Sequence, residues 1–362
     1  MNAGEEVRVQ EDSDELASIG WRLVRRLGKG GQAPVYEVER IDTPGVTFAM
    51  KYLGHRRDKP LARFQNELQT LRLLDHPGIV RFVGCANDDD ELQYYWMDLI
   101  EGAKSLSDLI KTKPSQNPFN KDPVKALDAF IEIAQALDAC DKKHVVHRDL
   151  NPGNILVTPD ERVVLIDFGL AQFPGSDTMT SVDEAVGAAA YRPPECRAHS
   201  VTPVDIRSDL YSAGKLLWSM VVNELAFEGE SRVFSDLSLA SKLPDCQAAW
   251  HLFHIFEKTI RHDQDDRFSK PVDAIRAAQK ARDLIVTNAP PLEVLYQGKC
   301  KTCRIGNLVP ADDQVPYAKL GEHRSINAPP SILAWSCPVC GQFELTRREV
   351  LDQTIRRRAT LK

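Results

Sequence analysis

The stretch His147-Arg148-Asp149-Leu150-Asn151-Pro152-Gly153-Asn154 packs a cation, a carboxylate and two amides between the apolar runs Val145-Val146 and Ile155-Leu156-Val157. A loop between two strands would present those groups beside a core. Asp167 ends a second apolar run, Val163 to Ile166, just before Phe168 and Gly169. A carboxylate there can hold a divalent cation, although an ordinary strand-ending aspartate in a turn leaves the same trace. With Asn154 it offers two oxygen ligands from adjacent loops, which suits magnesium and phosphate. Lys51 lies within an apolar strand, Phe48-Ala49-Met50-Lys51, and needs an anion unless it sits at an exposed edge. Glu67, three residues from Phe64 and four from Leu71, points to the apolar face of its helix and is the matching anion. Two unrelated surface charges are the plainer alternative. Gly28, Gly30 and Gly31 open a run that reaches Val35, where backbone N–H groups could approach phosphates. A strand rather than a helix follows, which disfavours a P-loop or a dinucleotide site.

A second chemistry lies near the C-terminus. Cys300-Lys301-Thr302-Cys303 and Cys337-Pro338-Val339-Cys340 are CxxC pairs with 33 residues between them. Each pair can offer two thiolates to one tetrahedral Zn²⁺, in a structural site with no open position. A redox dithiol and unligated thiols are the alternatives. The other four cysteines, Cys85, Cys140, Cys196 and Cys246, are scattered and read as small buried hydrophobes.

These residues need elements to hold them. From Trp21 the pattern is strand-like, through Trp21–Leu27, Pro34–Arg40 and Val46–Leu53, as in an antiparallel meander. Residues 61–74 change to helical period, with Leu61, Phe64, Leu68 and Leu71 on one face. Two more strands follow, and beyond Ser105 the chain reads mostly helical, near 123–143, 207–222, 248–260 and 271–285. A sheet-rich first third and a helical remainder predict an α+β, two-lobed body. The expected division is an acidic disordered tail at 1–19, a main domain at 20–286, a Pro-containing linker at 287–298, a zinc-ribbon-like module at 299–346 and a basic helical tail at 347–362. A terminal helix there would set Leu345, Leu351 and Ile355 opposite Arg347, Arg348 and Arg356 to Arg358.

The net charge of −6 is uneven. Residues 296–362 hold eleven Lys/Arg and six Asp/Glu, +5, which leaves −11 for the rest. The basic end permits nucleic-acid binding but does not favour it over docking on the main domain or on a partner protein. No apolar run approaches the ~20 residues of a membrane span, and the acidic N-terminus is unlike a signal peptide, so a cytoplasmic protein without membrane attachment is expected.

From about 20 to 285 the chain resembles a eukaryotic-type (Hanks-type) Ser/Thr protein kinase. The resemblance rests on Gly28–Val35, Phe48–Lys51, Glu67, His147–Asn154, Asp167-Phe168-Gly169 and Arg192-Pro193-Pro194-Glu195, in that order and at ordinary separations. It implies the bilobal kinase fold, ATP and Mg²⁺ as cofactors and a protein as substrate. The backbone at Gly28, Gly30 and Gly31 would cover the phosphates, with Val35 and Ala49 beside the nucleotide. Lys51 would hold the α- and β-phosphates and pair with Glu67. Asp149 would accept the substrate's hydroxyl proton, and Asn154 and Asp167 would bind Mg²⁺. Met97 becomes the gatekeeper and Asp98 to Ile100 the adenine-binding edge. Glu195 should pair with Arg267, and Asp209 should steady the catalytic loop.

Three positions depart from the family. Ala33 replaces a glycine. Asn151 replaces the lysine that usually reaches the γ-phosphate, and Ala188 a threonine that usually contacts it, so both changes fall on one catalytic contact. Arg148 is the family's sensor of a phosphorylated activation loop, which here would be Thr178, Thr180 or Ser181, with autophosphorylation expected; Glu184 could supply the charge instead. Thr360, in Arg356–Leu361, resembles a basophilic target. The reading is an active kinase whose ribbon recruits substrate or partner. The alternative is a nucleotide-binding, pseudokinase-like scaffold that signals through the ribbon.

Overall fold

The computed structural model describes residues 3–28, 33–54, 60–86, 92–112, 114–171, 189–196, 203–227, 229, 246–287, 309–310, 332–336 and 343–347. Strands β1 (Trp21–Gly28), β2 (Val35–Arg40), β3 (Thr47–Gly54), β4 (Phe82–Cys85) and β5 (Gln93–Asp98) form an antiparallel sheet in the order β1-β2-β3-β5-β4. Successive side chains point to opposite faces, and directly paired residues share a face. Val35 pairs with Lys51, Lys51 with Tyr95 and Ala49 with Met97, so these five line the inner face. Helix α2 (Pro60–Leu73) lies with that side of the core, burying Phe64, Leu68 and Leu71. Tyr36 pairs with Met50 and Met50 with Trp96, which turns them to the outer face.

The outer face is covered. Residues 1–19 were expected to be a disordered tail, but Ala3–Ser18 form a helix, α1, that lays Leu16 into a second apolar cluster with Trp21, Tyr36, Val38, Met50 and Tyr52. Its inward face also carries Val9 and Asp12, and Ile19, just past its end, packs on the same cluster. Acidic composition argued for disorder, yet the carboxylates find donors on the sheet. Gly20 ends the helix at φ +83°, where its lack of a Cβ removes the left-handed penalty.

The remainder is mostly helical: α3 (Leu106–Lys111), α4 (Pro123–Lys142), α5 (Ile206–Val222), α6 (Cys246–Glu257) and α7 (Pro271–Val286). Helix α4 starts where the Asp122 side chain accepts from Val124 and Lys125 N–H, with Pro123 in the first turn. Helix α5 starts the same way at Asp205 and ends at Asn223, φ 56°. A small antiparallel sheet joins β6 (Lys104–Ser105), just before α3, to β7 (Ile155–Val157) and β8 (Val163–Leu165), between α4 and α5, and places the loop before β7 beside the loop after β8.

Nearer the C-terminus, β9 (Val309–Pro310), β10 (Ile332–Ser336) and β11 (Phe343–Arg347) form an antiparallel sheet in the order β11-β10-β9. Leu345 and Arg347, assigned above to a helical tail, are therefore in a strand, with Leu345 paired to Ala334. Aromatic and β-branched residues at Phe343 and Thr346 favour that state. Among the described residues no helix is long and apolar enough to cross a membrane. Cys300, Cys303, Cys337, Cys340, Gly30, Gly31, Thr178, Thr180, Ser181, Glu184, Ala188 and the rest of the 347–362 tail lie outside the described residues.

Candidate active site

Lys51 and Glu67 meet. The Lys51 ammonium donates to the Glu67 carboxylate and, at 3.3 Å, to Asp167 Oδ1; Lys51 and Glu67 are both buried. Burial alone would lower the Lys51 pKa, but the charges of Asp167 and Glu67 outweigh it and hold the ammonium above its ordinary value. Burial likewise works against ionised Asp167, and Lys51 with the Gly169 N–H keeps its pKa low. The cation between two carboxylates is thus charged.

Helix α2 holds more than Glu67. Asn66 donates to the Ala171 carbonyl at 2.7 Å, tying the segment after Asp167 to the same helix. The sequence reading missed Asn66; a polar residue on the packed face beside Glu67 was its only signal. Phe168 is fully buried against His147, with ring centroids 4.5 Å apart.

The loop before β7 is fixed from below. Asp209, buried on α5, accepts from the backbone N–H of His147 at 2.7 Å and of Arg148 at 2.9 Å. Burial pushes the Asp209 carboxyl up to about 7 while those two donors pull it down. Arg148 and Asp167 both adopt left-handed backbone, φ 67° and 61°. Such residues cost energy and mark places where the surroundings dictate conformation. The side-chain partner expected for Arg148 lies outside the described residues.

Asp149 is half-buried. Burial first, then the charge of Asp167, pushes its carboxyl up to about 6, opposed by Asn154, Arg192 and Asn151. The Asn154 amide donates to the Asp149 carbonyl at 2.8 Å and to its carboxylate at 3.1 Å. With both N–H functions so directed, the Asn154 side-chain oxygen is left as an acceptor. The backbone bond Ile166 N–H to Asn154 C=O, 3.0 Å, brings Asn154 alongside Asp167. One amide oxygen and one carboxylate are hard donors of the kind Mg²⁺ takes, so the residues present fit that ion.

Asn151 behaves differently from expectation. Its Oδ1 accepts from Gly153 N–H at 2.9 Å and its Nδ2 donates to the Asp149 carbonyl at 3.0 Å. It caps the one-turn helix Pro152–Asn154 and is engaged with its own loop.

Of the residues expected beside the nucleotide, Val35, Ala49 and Met97 share the inner face with Lys51. Met97 and Ala49 are buried. Asp98 turns its carboxylate outward into a two-point pair with Arg81, at 2.7 and 2.8 Å. The bonds Asp98 N–H to Arg81 C=O and Ala103 N–H to Ile100 C=O fix the segment after β5. Gly28 ends β1. Farther off, Glu195 and Arg267 form a buried two-point pair at 2.6 and 2.9 Å, as the family resemblance implied.

The family model for the protein kinase domain matches residues 21–285. The chain belongs to that family. It is 32% identical over 289 residues to the serine/threonine-protein kinase pkn2 of Myxococcus xanthus, covering 74% of this chain and 34% of that one. It is 30% identical over 216 residues to the serine/threonine-protein kinase PrkC of Bacillus subtilis, covering 59% and 32%. Against the serine/threonine-protein kinase PknJ of Mycobacterium bovis the identity is 32%, covering 58% and 35%. The chain spans about a third of the length of these relatives.

Proposed function

We propose that this chain is an ATP- and Mg²⁺-dependent protein kinase that phosphorylates Ser or Thr hydroxyls of proteins, itself included. The observation that carries the reading is Lys51 held between Glu67 and Asp167, with Asp149 and Asn154 on the adjoining loop. Lys51 would bind the α- and β-phosphates, and Asp167 with Asn154 would hold Mg²⁺, which neutralises charge on the transferred group. Asp149 would orient the attacking hydroxyl and take its proton as oxygen bonds to the γ-phosphorus and ADP leaves. The Ser/Thr assignment follows the names of the relatives. Purified full-length chain incubated with labelled ATP and Mg²⁺ should label itself on Ser or Thr, and Asp149→Ala should not.

One observation favours a second reading. Asn151 spends its side chain on the backbone, so no charge reaches out from that position. Nucleotide binding without transfer would make the chain a scaffold. The activation segment offers a further test: we read Arg148 as the sensor of phosphate on Thr178, Thr180 or Ser181. A triple alanine variant should lose activity if so, and should retain it if Glu184 supplies the charge.

For the C-terminal module we propose a structural four-cysteine zinc ribbon, formed by Cys300, Cys303, Cys337 and Cys340, that recruits substrate or docks on the kinase domain. Support comes from register. Ser336, directly before Cys337, pairs with Val309, six residues after Cys303. A cytoplasmic location is part of this proposal.

A further inference from the structure

Asp12 and Glu15 lie three residues apart on α1, and each accepts a hydrogen bond from a buried tyrosine. The Tyr36 hydroxyl donates to Asp12 Oδ2 at 2.5 Å, and the Tyr52 hydroxyl donates to the Glu15 carboxylate. Asp12, Tyr36 and Tyr52 are all buried, at 7%, 1% and 2% exposure. Burial, joined by Glu15, holds the Tyr52 phenol above its ordinary pKa, so it remains a donor.

The placement of these tyrosines gives the contact its meaning. Tyr36 directly follows Val35 on β2, and Tyr52 directly follows Lys51 on β3. Val35 and Lys51 pair with each other and face inward, and the tyrosines face outward to α1. Each strand therefore passes through a nucleotide-side residue and, one step on, a residue held by the helix. The two strands are also joined there by Tyr52 N–H to Pro34 C=O, 3.1 Å. At the other end, Ile41 N–H donates to Gly20 C=O at 3.0 Å, fastening the helix exit to the end of β2. Leu16, fully buried, fills the space beside both tyrosines. Strand residues on opposite faces move with one backbone, so fixing Tyr36 and Tyr52 fixes Val35 and Lys51.

We propose that Asp12 and Glu15 are positioning residues for nucleotide binding: through Tyr36 and Tyr52, α1 sets the separation and register of the strand pair that carries Val35 and Lys51. The inference rests on reading those two residues as nucleotide-facing.

The test uses the full chain and three double variants. Tyr36→Phe with Tyr52→Phe keeps both rings and removes both donors. Asp12→Ala with Glu15→Ala removes both acceptors. Asp12→Asn with Glu15→Gln keeps an acceptor oxygen at each place. Two readings are taken: hydrogen exchange in peptides covering β2 and β3, and Mg·ATP binding by calorimetry with KM for ATP measured against kcat. The Phe and Ala pairs should speed exchange in β2 and β3 by about tenfold. They should raise the dissociation constant and KM for ATP about threefold or more, with kcat within about twofold. The Asn/Gln pair should restore most of both. A helix that only adds stability would lower the melting temperature and leave exchange in β2 and β3 and KM for ATP as in the wild type; that result overturns the proposal. A wild-type chain that binds no Mg·ATP overturns the nucleotide reading instead, and the exchange measurement still decides whether α1 braces the strands.

Discussion

Asn151 donates from its side-chain amide to the carbonyl of Asp149, 3.0 Å away, and accepts from the N–H of Gly153 with its oxygen. Asn154 donates to the same Asp149 carbonyl. Two amides thus converge on one backbone oxygen directly beside the carboxylate of the site. Asn151 thus spends its side chain bracing its own loop.

That geometry makes the Asn151 substitutions informative. Asn151→Ala should lose the cap and cost about 1 kcal/mol of stability. It should also lower kcat on the order of tenfold, because the orientation of Asp149 loosens. Asn151→Ser, which still caps, should recover most of the stability. Thermal denaturation and autophosphorylation rates, measured on the same preparations, check both statements. An Ala variant with unchanged stability would remove the bracing role.

The buried Lys51–Glu67 pair leads to a different expectation. Removing one partner of a buried ion pair leaves the other uncompensated, which costs about 3–5 kcal/mol. Glu67→Ala should approach that loss, moderated because Asp167 also reaches Lys51 at 3.3 Å. With Lys51 drawn to Asp167 alone, kcat/KM for ATP should fall at least about tenfold. Chemical denaturation gives the first number and initial rates the second.

Asp149 predicts a pH profile. Its carboxyl is pushed up to about 6 by burial and by Asp167, so the proton-accepting form is lost below that value. The acid limb of kcat/KM should therefore fall near pH 6, well above an ordinary aspartate. Arg192 opposes the shift, so Arg192→Gln should move the limb to higher pH. For stability the sign is fixed by the same shift. A folded pKa above the unfolded one favours the fold at pH below about 4, and that contribution is lost as pH rises through about 6. Asp149→Asn, freed of this dependence, should raise the melting temperature at about pH 8 more than at about pH 5 while abolishing transfer. Equal increments at both pH values would count against the shift.

How much of this was legible in the sequence depends on where each residue's partner lies. Lys51 and Glu67 suggested each other, because a charge inside an apolar strand and a charge on an apolar helix face both need a partner, but two unrelated surface charges were the plainer reading until the family resemblance paired them. Glu195 and Arg267 were paired through family resemblance, and the structure joins them at 2.6 Å. Helix α1 was not legible. With few apolar residues and many acids, it gains its order from hydroxyls on Tyr36 and Tyr52, which no local pattern reveals. The role of Asn151 was hidden for the opposite reason: its partners, Asp149 and Gly153, are so near in sequence that family comparison drew attention to the missing charge instead of the cap. The strand at Leu345 was misread because Leu345, Leu351 and Ile355 suit a helix face, and only pairing with Ala334 tells the two apart.

The C-terminal sheet gives the last prediction. A module of about 65 residues with few large apolar side chains needs a further source of stability, and four thiolates on one Zn²⁺ would supply it. Ser336, next in sequence to Cys337, pairs with Val309, six residues after Cys303. Full-length protein should carry one zinc per chain by elemental analysis, with sulfur-only coordination near about 2.3 Å by X-ray absorption. Cys303→Ser with Cys340→Ser should abolish that zinc and accelerate hydrogen exchange in β9 to β11. A disulfide would answer differently: the wild type would carry no zinc, and reductant, not chelator, would loosen the sheet. Zinc release by chelator without any change in exchange of β10 and β11 would separate the metal from the fold of this module and remove its structural role.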